Sequence, residues 1–130
     1  MTVYLSREQV LDLHRVQIRR FGGSAGLRDR GALEAALARP QMTFEGEDLY
    51  PDVASKAAAL MHSLVMNHPF VDGNERGGAH ACILFLLSND VEPTFTPGAL
   101  VDITLAAARG EVGAEALAIW LRQRSRRRED

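Results

Sequence analysis

The sequence predicts an all-α fold: a compact bundle of about six helices around a buried central helix, with a short β-hairpin flap. Three observations predict it. Apolar residues recur at helical spacing along most of the chain. Residues 74–88 are apolar on nearly every face, as a helix inside a bundle must be. Clear extended signals are confined to short stretches near residues 41–50 and 91–95. No repeat, linker or low-complexity segment interrupts residues 1–130, so they are read as a single domain.

Each element has its own start and stop signals. Ser6 and Gln9 form a capping box ahead of Val10, Leu13, Ile18 and Phe21, and Gly22-Gly23 stops that helix. Asp29 caps a second helix through Leu33 and Leu37, ended by Pro40. Met42 to Tyr50 reads as a hairpin turning on Glu45-Gly46-Glu47-Asp48. Pro51 opens a third helix at its first turn; Val53, Ala57, Leu60 and Leu64 share a stripe, and Pro69 stops it. The 74–88 helix follows and serves as the buried centre. Ser88-Asn89-Asp90 turns the chain, Val91 to Phe95 is extended, and Thr96-Pro97 starts a helix that Gly110 closes. The last helix runs from Ala114 into the arginines at 122, 124 and 126–128, whose charge suits a helix C-terminus.

Composition excludes several classes. A net charge of −2 gives no general attraction to nucleic acid or anionic membrane. Lys56 is the only lysine, so arginine carries the positive charge. A single cysteine, Cys82, excludes an internal disulfide. No apolar run reaches the ~18–20 residues of a membrane span, and no secretory leader is evident, so a cytoplasmic protein is expected.

The chemistry concentrates in His68-Pro-Phe-Val-Asp-Gly-Asn-Glu-Arg76. Gly73 permits a tight turn opening a helix. Asp72 or Asn74 can cap that helix. Its first N–H groups then face the loop and form an anion site, aided by the helix dipole. Gly73, Asn74, Glu75, Arg76 and Gly77 surround this nest, and Arg76 can add a forked contact to a phosphate. Asp72 is a hard oxygen ligand suited to Mg²⁺ held partly by substrate phosphates. His68, at the end of the preceding helix, is a candidate base for a hydroxyl proton, because an imidazole titrates near neutrality. Phe70 anchors the loop in the core. Together His68, Asp72 and Arg76 suit phosphate transfer from a nucleoside triphosphate, ATP, to a hydroxyl.

The ordered set H-x-F-x-D-G-N-x-R resembles the signature of the Fic/Doc family, most nearly its short Doc branch, the toxins of Phd–Doc toxin–antitoxin modules. The resemblance extends over nearly the whole chain, including Phe21-Gly22-Gly23 and the Asp102 to Gly110 stretch. It implies His68 as base, Asp72 as Mg²⁺ ligand, and Asn74 and Arg76 as phosphate binders. It implies a target-docking flap at Phe44, Glu45, Gly46 and Tyr50 that pairs with the target in strand-like fashion. It implies transfer of phosphate to a threonine of a translation factor, elongation factor Tu, and inhibition by a Phd-like antitoxin, through which alone nucleic acid would be met.

Two positions depart from the family pattern. AMP-transferring members carry a second arginine where this chain has Ala79, which favours phosphate over AMP transfer. Doc-like members carry lysine where this chain has Glu75, whose carboxylate repels an adjacent anion. The alternatives are therefore nucleotidyl transfer, or a catalytically weakened module that partners an antitoxin. Ser125 to Asp130 and Thr43 to Glu47 match the family's self-inhibitory motif only loosely. A ribonuclease using Arg76 and His80, and a zinc site from His62, His68 and His80, are remote readings of the same residues.

Overall fold

In a computed structural model, residues 1–129 are described. Among these residues run six α-helices: α1 Arg7–Phe21, α2 Arg30–Ala38, α3 Val53–Asn67, α4 Asn74–Ser88, α5 Pro97–Ala108 and α6 Ala114–Gln123. Two small antiparallel pairs join them: β1 Thr43–Phe44 with β2 Glu47–Asp48, and β3 Val91–Pro93 with β4 Ser125–Arg127.

Most helix starts follow local chemistry. The Ser6 hydroxyl accepts from Gln9 N (3.1 Å), and Gln9 Oε1 accepts from Ser6 N (2.8 Å), completing the capping box of α1. Asp29 accepts from Ala32 N to cap α2, and Thr96 from Ala99 N to cap α5. One start is corrected. Asp52 caps α3, accepting from Ser55 N, so Pro51 precedes the cap instead of opening the helix. Pro40 does not end α2 abruptly; the chain tightens into a 3₁₀ turn over Arg39–Gln41.

The centre of the bundle is α3, not α4. All but a few residues of α3 are buried, and it packs against α2, α4, α5 and α6. Its small residues Ala57, Ala58 and Ala59, all inaccessible, let neighbours approach from every side. Gly78 of α4 meets it so closely that a Cβ there would lie 2.7 Å from Val65 Cγ2 and 3.3 Å from Met61 O. α4 is apolar all round for a different reason: Ala81, Cys82, Phe85 and Leu86 face the core, while Ala79, His80 and Ile83 line a cleft. The C-terminus also departs from expectation. α6 stops at Gln123, and Arg126 and Arg127 belong to β4, which pairs Arg126 with Glu92 and Arg127 with Val91. Asp130, the last residue of the loose inhibitory match, lies outside the described residues.

The hairpin turns on Glu45 and Gly46, both at positive φ (53° and 83°) as a tight two-residue β-turn requires. It is tied to α3 by Lys56, whose side chain is 3% exposed and whose ammonium meets Asp48 Oδ2 (3.1 Å) and the Tyr50 carbonyl. No described helix is long and apolar enough to cross a membrane.

Candidate active site at the mouth of the fourth helix

The nine-residue motif links α3 to α4 and is braced from three directions. The segment 24–29 lies alongside it: Pro69 O accepts from the N–H groups of Arg28 (2.7 Å) and Asp29 (2.9 Å), and Val71 N donates to Gly26 O (3.0 Å). Beneath it, His14 of α1 stacks on Phe70, ring centroids 3.7 Å apart and planes within 6°. His14 Nε2 donates to Asp72 O (2.7 Å). Within the loop, Asn74 reaches back to Phe70, its Oδ1 accepting from Phe70 N and its Nδ2 donating to Phe70 O, both at 3.0 Å. Phe70 is buried as expected of an anchor.

These contacts settle how α4 begins. Neither Asp72 nor Asn74 caps it. Gly73 takes the cap position in left-handed backbone (φ 73°), and no side chain bonds to the first amides. A Cβ at Gly73 would add Ile18 Cδ1 at 3.1 Å to the cost of that backbone. The amides of Asn74, Glu75 and Arg76 thus stand at an open, electropositive helix mouth. Gly77 does not belong to it: its N–H donates to Gly73 O (2.9 Å), and the residue is buried against His14 and Phe70. Asn74 is 6% exposed, and its side chain is likewise committed to the loop.

The mouth opens on a cleft of about 820 Å³. Asp72, Gly73, Glu75 and Arg76 form its polar end, and Ile83, Phe95, Leu100 and Leu105 are among its apolar walls. The Arg76 guanidinium lies 5.0 Å from the centre of the Phe21 ring, a cation–π contact that holds it at the rim. His80 also lines the cleft. Its pKa is lowered, first by burial and then by the positive charge of Arg20. His68 is exposed and lies outside the cleft lining. Its imidazole hydrogen-bonds to no protein group among the described residues.

Asp72 is held in place: Oδ1 accepts from Gly73 N (2.9 Å) and Oδ2 from Ser24 N (3.2 Å). Each oxygen keeps a further lone pair, and the residue is exposed. No group of three or more His, Cys, Asp or Glu gathers among the described residues, so His62, His68 and His80 form no trio. His62 instead receives a hydrogen bond from Arg39 at Nδ1 (3.1 Å), with its pKa lowered by burial and by that arginine. A lone carboxylate beside a phosphate nest fits Mg²⁺, which takes one or two carboxylates plus substrate phosphates.

The flap residues divide. Phe44 is 69% exposed at the hairpin. Tyr50 is at the hairpin's base, its hydroxyl accepting from Arg39 Nε (2.9 Å), and so steadies the flap. Two bracing residues, His14 and Arg28, lie far from the motif along the chain. They carry no motif of their own; only the tertiary fold brings them to the loop.

Residues 4–86 match the sequence profile of the Fic/DOC family. The chain belongs to the Fic/Doc family. It is 49% identical over 92 residues to a protein named Toxin Doc from Mycolicibacterium smegmatis, covering 71% of this chain and 68% of that one. It is 32% identical over 120 residues to Protein kinase doc of Escherichia phage P1, covering 92% and 94% respectively. This Fic/Doc chain therefore shares more than the motif with Doc proteins; the likeness to the phage protein runs nearly end to end.

Proposed function

We propose that this protein is a Doc-like toxin that transfers the γ-phosphate of ATP to a threonine hydroxyl of a translation factor, elongation factor Tu, in the cytoplasm, arresting translation. The observation that carries this reading is the uncapped mouth of α4: free amides at residues 74–76 beside the Asp72 carboxylate, opening on a cleft. Those amides and Arg76 hold the phosphate chain. Asp72 would hold Mg²⁺, which when bound offsets phosphate charge. His68 takes the proton of the attacking hydroxyl. The hydroxyl oxygen bonds to the γ-phosphorus, the bond from that phosphorus to the β,γ-bridging oxygen breaks, and ADP leaves. The flap around Phe44 offers a short strand edge to the target segment.

Ala79 favours phosphate over AMP transfer, since it brings no second guanidinium to the cleft. The apolar walls of the same cleft, with Val101 and Leu105 exposed at its edge, fit an amphipathic helix from a Phd-like antitoxin. The decisive experiment incubates the protein with Mg²⁺ and elongation factor Tu, using ATP labelled at the γ- or the α-phosphate. Label from the γ-position alone, lost in His68→Ala, is expected. Label from the α-position establishes nucleotidyl transfer instead. No label, with no heat of ATP binding by calorimetry, leaves a binding module disabled at Glu75.

A further inference from the structure

α3 ends on a residue that cannot complete its terminus in the usual way. His68 adopts left-handed backbone (φ 47°, ψ 59°), a conformation that glycine ordinarily supplies at a helix C-terminus. In such termini the following N–H groups fold back onto the last carbonyls. Here the next residue is Pro69, which has no N–H to offer. Arg28 instead secures the end of the helix from outside. Its Nε donates to His68 O (2.6 Å) and its Nη2 to Asn67 O (2.9 Å). Its own backbone N–H donates to Pro69 O (2.7 Å). Three successive carbonyls are thus gripped by one residue 40 positions upstream of His68.

We infer that Arg28 is a positioning residue for the His68 base. The inference rests on the reading of His68 given above. Because no protein group bonds to the imidazole, its direction is set by the backbone from which it projects. That backbone sits in a disfavoured region and lacks its own terminal hydrogen bonds, so the planar guanidinium fork maintains it. Lysine cannot do this equally: it presents one compact ammonium instead of a rigid pair of donors. The fork is spent on main-chain oxygens, so Arg28 acts through His68 and not by binding phosphate.

The test compares Arg28→Met, which keeps the stem and removes the donors, with Arg28→Lys. Folding is checked first by thermal melting and circular dichroism. In γ-phosphate transfer to elongation factor Tu, R28M lowers kcat about 10- to 100-fold, the scale of a base displaced by about an ångström. KM for ATP stays within about twofold, and R28K, which keeps the charge but not the fork of donors, recovers only part of the rate. Nuclear magnetic resonance gives an independent readout: the one-bond Cα–Hα coupling of His68, sensitive to the sign of φ, changes in R28M. The inference is overturned if that coupling is unchanged, if kcat survives the change, or if KM for ATP rises as kcat falls. If the wild-type protein transfers no phosphate, the functional reading fails, while the His68 coupling still decides whether Arg28 holds that residue.

Discussion

Asn74→Ala separates two roles that the family motif merges. If Asn74 binds phosphate through its side chain, its loss weakens ATP binding and leaves stability alone. The structure gives the side chain another task, two 3.0 Å hydrogen bonds that close the 70–74 loop. Both partners are main-chain groups of Phe70, which is 2% exposed. Each such bond stabilises by about 0.5–1.5 kcal/mol net, and each buried group left unpaired costs about 1–3 kcal/mol. Water entering the vacated space recovers part of this, so the loss is about 2–4 kcal/mol. For a chain of 130 residues that corresponds to a melting point lower by roughly 6–20 °C. Urea titration of the purified variant at neutral pH, followed by far-ultraviolet circular dichroism, measures it. A change below about 0.5 kcal/mol, together with lost ATP binding, refutes the bracing role.

Other outcomes follow from the same contacts. The hydrogen bond from Arg122 Nε (2.7 Å) is the main cause holding the Asp52 carboxyl well below its ordinary value of 3.8. A depressed folded-state pKa gives stability that is present above 3.8 and lost as pH falls toward the folded value. Arg122→Met therefore makes the decline of the urea midpoint on acidification below that value shallower. Burial pushes the Cys82 thiol up to about 12, so iodoacetamide near neutral pH labels it only through unfolding. Mass spectrometry across a urea gradient should show alkylation tracking the unfolding transition; fast labelling of the native protein contradicts the burial. Glu75→Lys reverses one charge in the first turn of α4, beside the phosphate nest. It tightens calorimetric binding of ATP with Mg²⁺ by about 1–2 kcal/mol, roughly five- to thirty-fold at low salt. Unchanged affinity would mean that the Glu75 side chain stands clear of the nest.

Much of this was legible in the sequence because the signals are local. Ser6 with Gln9, Asp29 and Thr96-Pro97 each satisfy helix amides within one turn, so neighbouring residues suffice to read them. The motif was legible for the same reason, nine residues carrying their own turn. What was missed depends on distance along the chain. Residues 125–127 look like a charged helix end until β3, 34 positions earlier, supplies a strand partner. α4 looked central because it is apolar all round, yet part of that surface faces a cleft and not the core. α3 holds the centre through small side chains, whose packing value no hydrophobic periodicity reports. His14 and Arg28 carried no local mark: their roles exist only once α1 and the 24–29 segment close over the loop.

The lone lysine has a consequence beyond fastening the hairpin. With Lys56 sealed between Asp48 and the Tyr50 carbonyl, the native surface offers no side-chain primary amine. Reagents and cellular enzymes that acylate lysine, or conjugate degradation tags to it, find no side chain to grasp until the hairpin lifts away. Release of the flap from α3 would then expose both a docking edge and the one ε-amine to such chemistry, and amine acylation becomes a chemical clock for that motion.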